Sequence, residues 1–599
     1  MEDDLIPRRD FLQMTTSFGM LMLAQSLLPS YAWGEAASNA KVGVEPINNI
    51  DLTIGRVPLL LNGRKGSAVA MNGTVPGPAI RLREGQEAVI RVKNNLAEPT
   101  SVHWHGLILP QPMDGVPGVS FAGIMPGETF TYRFPVVQSG TYWCHSHSGG
   151  QEQQGLYAPL IIEPKKGESI SADRDYIVML SDWSFLEPMI LLSKLKKRSG
   201  YFNYQRRTIG DFARDLKTHG FSPTLAERLQ WMKMRMDPTD ILDVTGEEYT
   251  YLMNGNSPEM NWTGLFKKGE RVRLRFINAG AMTIFDVRVP GLKMTVVQAD
   301  GQNVQPVSVD EFRFGPGETY DVIVEPSVDR AYAVFAESMD RSGYAIGSLS
   351  PKQGMKASVP ERRQRPVRSM QDMGMSMAGM KMDAKDKMEM PGMDMSKGHE
   401  MPGMLMKNNK VSAIPGREPV RHGPDNHGPE NSSTPEETKS RLHEPGTGLE
   451  NNGRKVLVYT DLKSPTENPD LRTPGREIEL HLTGNMERFM WSINGKKYSE
   501  DPEPILFHYA ERVRLTLVND SMMEHPMHLH GMFMDLENGS GSYLPRKHTV
   551  IVKPAERLSL AITADALGDW AFHCHMMFHM EAGMFRVVRV AKKESEVKS

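Results

Sequence analysis

The chain has 599 residues, a net charge of −3 at neutral pH and two cysteines. That length allows several domains. The interspersed charges give no basic face for a nucleic acid, and two cysteines exclude a disulfide framework. Methionine is the compositional outlier, at 42 residues.

The N-terminus reads PRRDFLQMTTSFGMLMLAQSLLPSYAWGEA, with paired Arg8 and Arg9 ahead of a mildly apolar stretch that ends near Ala32 and Gly34. Residues 1–34 are predicted to be a twin-arginine signal peptide, addressed to the twin-arginine export machinery and placing the protein in the bacterial periplasm. A membrane anchor is the alternative reading. Gln13, Thr15, Thr16, Ser17 and Gln25 leave the stretch too short and too polar to span stably.

Three stretches then repeat one pattern. Residues 71–135 contain MNGTVPGPAIRLREGQEAVIRVKNNL, residues 253–326 contain MNGNSPEMNWTGLFKKGERVRLRFINAG, and residues 493–564 contain INGKKYSEDPEPILFHYAERVRLTLVND. Each offers an Asn-Gly turn followed by an alternating strand. The repeat predicts an all-β chain of three antiparallel sandwich domains, over residues 45–165, 172–360 and 452–592. Residues 185–240 carry apolar residues at helical spacing and predict a helical insert in the second domain. Residues 361–450, poor in apolar β-formers and rich in Pro, Gly, charge and Met, predict a long, largely disordered linker.

Ten of the 18 histidines fall in four short motifs: HWHG (His103, His105), WCHSH (His145, His147), HPMHLHG (His525, His528, His530) and HCHMMFH (His573, His575, His579). The first two motifs lie in the first repeat and the last two in the third. On a strand, alternation turns His573 and His575 to one side and Cys574 to the other. One strand could then serve two metal sites. Cys574, His579 and Met584 supply a thiolate, an imidazole and a weak axial thioether, the donor set of a blue-copper electron-transfer site.

The four motifs, in this order, resemble those of the multicopper oxidases, and the resemblance runs from about residue 45 to 592. The export signal, WCHSHSGGQEQQGLYAPLIIEP and the Met-rich segment are most similar to the copper-resistance branch of that family. The resemblance implies three cupredoxin-like Greek-key domains and four coppers. His525, Cys574, His579 and axial Met584 would hold the type 1 copper, and His103 and His528 the type 2 copper. His105, His145 and His575 would hold one type 3 copper, and His147, His530 and His573 the other. Electrons from a substrate would pass through Cys574 to His573 and His575, and dioxygen would be reduced to water at the three-copper cluster. An axial methionine implies a modest type 1 potential.

Asp114, in QPMDGVPG, matches an acidic position of the family that supplies protons, or is a turn residue before Gly115. Relatives that carry a carboxylate after the last type 1 histidine differ from this chain, which has Met580 there and Glu581 one place later. Cys144 is expected to be a packed, reduced thiol. Between residues 370 and 406 lie 13 methionines. Of these Met373, Met375, Met377, Met380, Met382, Met388, Met390, Met393, Met395, Met401, Met404 and Met406, with His399, form a candidate Cu(I)-capturing set, since thioethers select Cu(I). Met576, Met577 and Met580 would form an inner docking site or pack in the core. The leading reading is a monomeric periplasmic oxidase of Cu(I), and of phenols, with dioxygen as acceptor. A laccase acting mainly on an organic phenol and a copper-sequestering protein are the alternatives.

Overall fold

The computed structural model describes residues 48–375, 418–419, 429, 431–432 and 434–593. The signal peptide expected at residues 1–34 lies outside them. The described strands form three cupredoxin-like sandwiches, each built from two sheets. The first pairs two four-stranded sheets between Asn49–Leu61 and Tyr157–Glu163. The second and third each pair a six-stranded with a five-stranded sheet, running from Arg174–Trp183 to Tyr344–Ser350 and from Arg476–Asn485 to Phe585–Ala591.

The sheets are not antiparallel throughout, as the repeat had suggested. In the first sandwich Asn49–Leu61 runs parallel to Glu87–Asn94, and Ile80–Arg83 parallel to Tyr157–Glu163. The second and third sandwiches carry the equivalent pairs. Side-chain alternation has a period of two in either direction, so the sequence pattern does not distinguish the two pairings.

The repeat is visible in the hydrogen bonds. Each Asn-Gly pair adopts two successive left-handed conformations, with φ of 50° and 79° at Asn72-Gly73, 50° and 76° at Asn254-Gly255, and 55° and 71° at Asn494-Gly495. Both central residues of a type I′ turn need positive φ, which Asn and Gly tolerate best. The asparagine ending each alternating strand is buried and does one job three times. Asn94, Asn278 and Asn519 each donate to two backbone carbonyls and accept from the amide two residues on. In the third copy this asparagine anchors the loop that leads to His525.

Glu87–Asn94, an interior strand of its sheet, shows the alternation of a strand with one face outward, with Ala88, Ile90 and Val92 in the core. Its counterpart Val272–Asn278 is buried on both faces. There the arginine face meets the first sandwich instead of water: Arg275 donates to Thr141, and Arg273 and Arg275 both pair with the buried Asp321. The insert contains the helices Pro188–Lys197, Ile209–His219 and Phe221–Met234. The first buries Leu191, Leu192 and Leu195 and leaves Lys194, Lys196 and Lys197 in its last turn, where cations favour the helix dipole.

The flanks of the expected disordered linker are packed, which corrects that reading for residues 361–375 and 434–450. Met370 and Met373 are buried in the core. The Gly374 carbonyl accepts from the Glu437 amide at 3.0 Å, so the two flanks meet. Charge holds them in place: Arg363 pairs with Glu311 and Glu337, Arg441 with Asp372 and Glu444, and Arg368 with Glu524 at 2.6 Å. A composition rich in charge reads as disorder, and the buried acids that receive Arg363 and Arg368, namely Glu311, Glu337 and Glu524, lie outside the flanks. Arg368→Met leaves Glu524 buried without its main partner. It should lower unfolding stability by about 3–5 kcal/mol in denaturant titrations, whereas a loss below about 1 kcal/mol is what a merely exposed pair would give.

Candidate metal centres

Strand pairing sets the histidines. His103–His105 runs antiparallel to Gly140–His145, placing His103 opposite His145. In the third sandwich His525–Leu529 pairs with Gly568–Cys574, placing His528 opposite His573 and Met527 opposite Cys574. The two sandwiches then meet ring to ring, His103 stacked on His530 at 3.9 Å and His105 on His528 at 3.8 Å. Ring nitrogens of His105, His145 and His575 lie within 4.8 Å of one another, as do those of His147, His530 and His573. These are the two triplets expected for the type 3 coppers. His103 and His528 group with His530 in the same way. The nest therefore gathers eight histidines from the first and third repeats.

Five of the eight rings are fixed by the nitrogen that points outward. His103 Nδ1 donates to the Asp114 carbonyl at 2.7 Å, His528 Nδ1 to the His548 carbonyl at 2.7 Å, and His573 Nδ1 to the Cys574 carbonyl at 3.0 Å. His530 Nδ1 donates to the Asp114 carboxylate at 2.8 Å, and His145 Nδ1 lies 2.9 Å from Glu152 Oε2 and 3.3 Å from the Ser146 carbonyl. An N–H on the outer nitrogen leaves a lone pair on the inner one. Nε2 of His103, His145, His147 and His528, and both ring nitrogens of His105 and His575, are buried without a protein partner. His530 Nε2 and His573 Nε2 face each other at 3.1 Å. Burial, reinforced by neighbouring rings, pushes His105, His145, His147 and His528 well below the ordinary imidazole range. Burial likewise takes His530 to about 4 and His575 to about 3. Neutral imidazoles with converging, unpaired lone pairs are costly to bury alone and suited to transition-metal ions.

Cys574 turns to the other face of its strand. Its Sγ lies 3.5 Å from His525 Nδ1 and 3.6 Å from His579 Nδ1, and those nitrogens are 3.2 Å apart. Again the outward nitrogens are held, His525 Nε2 by Ser521 Oγ at 2.7 Å and His579 Nε2 by Asp243 at 2.8 Å. Trp491 stacks on His579 at 3.9 Å. Met584 is buried, and its backbone bonds both Cys574 and His579. Cys144 is free and buried, its thiol pushed up to about 12 by burial.

Asp114 touches two nest histidines rather than only shaping a turn. Burial would raise its carboxyl, but His530 and His103 hold it well below the usual carboxylate range. Sequence reasoning missed Glu152, Ser521, Asp243 and Gly317. Glu152 sits in QEQQG, a polar run whose burial nothing local announces; its Oε1 is buried without a partner. Asp243 closes TDILD, where flanking Ile241 and Leu242 are buried. Gly317, at φ +88°, has to be glycine: a Cβ there would lie 2.8 Å from the His575 ring and 3.0 Å from His105 Nε2.

Met373, placed among the Cu(I)-capturing residues, instead packs in the core at 3% exposure, and Met375 packs against it. The candidates from Met377 to Met406, His399 included, lie outside the described residues. Met576 and Met577 belong to the core, while Met580 is half-buried.

Three multicopper oxidase family models match residues 54–167, 222–354 and 472–594. The chain belongs to the multicopper oxidase family, an oxidoreductase family whose cofactor is copper. It is 52% identical over 558 residues to copper resistance protein A of Escherichia coli, covering 90% of this chain and 92% of that one. It is 53% identical over 548 residues, with coverage of 90% and 92%, to a copper resistance protein A homolog of Pseudomonas syringae pv. tomato. The fold is shared with Fet3p, a multicopper oxidase that functions in iron import (TM-score 0.61, 18% identity, 90% of each chain). It is also shared with the laccase from Botrytis aclada (TM-score 0.59, 20% identity, 92% and 88% covered).

The Glu152 contact yields a direct test. Glu152→Ala removes the acceptor that orients His145, and copper affinity of the nest should fall by about tenfold to a hundredfold. Glu152→Gln keeps an acceptor oxygen and should retain most of it. Copper titration of metal-free protein measures both; equal affinity in the alanine variant would show that His145 needs no such support.

Proposed function

We propose that this multicopper oxidase works in the periplasm, delivered there by the twin-arginine machinery, and oxidises Cu(I) at the expense of dioxygen as part of copper resistance. The observation that carries the reading is the single strand Gly568–Cys574 and its continuation. Cys574 faces one donor cluster while His573 and His575 reach the other, with His573 Nδ1 bonded to the Cys574 carbonyl. In this reading His525, Cys574, His579 and Met584 hold a type 1 copper, His103 and His528 the type 2 copper, and the two histidine triplets the type 3 pair. When bound, these four coppers supply one-electron acceptance at the thiolate site and four-electron reduction of dioxygen to two waters in the nest.

The chain's own residues do the rest. Ser521 and Asp243 aim the two imidazoles at Cys574, and Trp491 covers His579. Asp114 and Glu152 contact His103, His530 and His145, and they are carboxyl groups set against the nest, where water formation consumes protons. Asp114 accepts N–H bonds in the resting geometry, and in this reading a proton relayed from bulk solvent passes through its carboxylate to the nest. Around 90% of the chain is matched by relatives named for copper resistance, and the methionines from Met377 to Met406 are soft ligands selective for Cu(I). Both favour Cu(I) as reductant over an organic phenol, while the coupled centres go beyond what copper sequestration needs.

Oxygen uptake by copper-loaded protein, with Cu(I) and with a phenol side by side, tests the reading; absence of uptake with either would overturn it. Cys574→Ser should lose the blue colour and all turnover while the nest keeps its copper, since only Cys574 supplies a thiolate and the nest histidines face away. Retained blue absorbance in that variant would contradict the assignment.

A further inference from the structure

Beside the thiolate cluster the surface opens into a cleft of about 710 Å³. Its floor is Phe489, whose ring lies 6.1 Å from that of His579, and Ala582, one turn beyond His579. Its walls bring together three separate parts of the chain. Lys196 and Lys197 come from the last turn of Pro188–Lys197, and Arg235 from the end of Phe221–Met234, both in the helical insert; Arg488 and Lys497 come from the third sandwich. The one acid lining the cleft is Glu487, which is engaged by Arg235 at 2.8 Å. Arg235 is paired with Glu487 and Lys497 with Glu500 at 3.0 Å, and the excess from Lys196, Lys197 and Arg488, in a chain whose overall charge is −3, still makes a local field opposite in sign to that of the molecule.

We propose that this cleft is the docking site of the reductant and that the reductant it selects is anionic. The proposal rests on the oxidase reading above and names the charge class of substrate for the same site. A concave site lined by one sign of charge concentrates the opposite sign and raises the association rate, while a bare cation is disfavoured. An aromatic reductant bearing carboxylate or sulfonate groups meets this requirement, as does Cu(I) held in an anionic complex. The aromatic ring of the first would sit over Phe489, which meets the His579 ring edge-on at 6.1 Å. Each reductant gives up one electron there, and four such electrons with four protons convert dioxygen to two waters.

The experiment uses full-length, copper-loaded protein and pairs of aromatic reductants of matched potential, one sulfonated and one carrying a quaternary ammonium group. A parallel pair presents Cu(I) as its anionic bicinchoninate complex or as the acetonitrile cation. At low salt, kcat/KM should favour the anionic member of each pair, with the difference in KM, and it should collapse as salt rises. Preference in the aromatic pair alone, or in the copper pair alone, identifies which anion the cleft serves. Lys196→Glu/Lys197→Glu/Arg488→Glu should raise KM for the sulfonated compound by about tenfold or more, lower it for the cationic one and leave kcat unchanged. Lys196→Gln/Lys197→Gln should move both constants the same way by a smaller factor. Binding of a redox-inert naphthalene sulfonate to copper-free protein, followed by fluorescence, should weaken in the same order. Charge-blind kcat/KM in both pairs, or charge-reversed protein with unchanged constants, would overturn the proposal while leaving the oxidase reading standing. No oxygen uptake with any reductant, together with intact naphthalene sulfonate binding, would overturn the oxidase reading instead.

Discussion

Everything in this molecule is arranged around one constraint: eight buried or half-buried imidazoles from two sandwiches must converge on one site. Left to themselves such groups would carry a desolvation penalty with no compensating bond. The chain offsets part of this by giving five of the outward nitrogens partners: the Asp114, His548 and Cys574 carbonyls and the Asp114 and Glu152 carboxyl groups. What remains inside is a donor set that only bound metal satisfies. The interface of the first and third sandwiches and the histidine nest are therefore the same object.

The second sandwich contributes no histidine to the nest, yet the site depends on it. Gly317 lets its backbone pass against His575 and His105, and Asp243 holds His579 from the far side of the thiolate cluster. A buried ion network locks it to the third sandwich: Lys547 reaches Asp300 at 3.0 Å and Glu318 at 3.1 Å, and the Tyr459 hydroxyl donates to Glu318. Asp300 also accepts the His548 and Thr549 amides, next to the carbonyl that orients His528. Removing one member of such a network strands the others, so it specifies the docking geometry more than it adds stability.

Much of this was legible in the amino-acid sequence because it has a period or a local signature. Asn-Gly turns, alternating strands and His-x-His pairs reveal themselves within a few residues, and strand parity alone separates Cys574 from His573 and His575. The residues that escaped notice act across long separations. Asp243 lies 336 residues from His579, and Arg368 lies 156 from Glu524. Parallel pairing escaped for a different reason, since alternation is blind to strand direction. The charge-rich flanks resembled disorder because Arg363 and Arg368 are stabilised by buried acids elsewhere, Glu311, Glu337 and Glu524, and Arg441 ties one flank to the other through Asp372, none of which shows in local hydropathy. The basic cleft likewise exists only where the helical insert meets the third sandwich.

The central claim is that the histidine nest and the thiolate cluster are two copper sites joined through Cys574. Anomalous diffraction at the copper absorption edge from copper-loaded crystals tests it most directly. The account predicts one peak bounded by Cys574 Sγ, His525 Nδ1 and His579 Nδ1. It predicts three more inside the nest: one at each triplet, His105–His145–His575 and His147–His530–His573, and one against His103 and His528. An empty thiolate cluster, or a single peak in the nest, in fully loaded protein would contradict it.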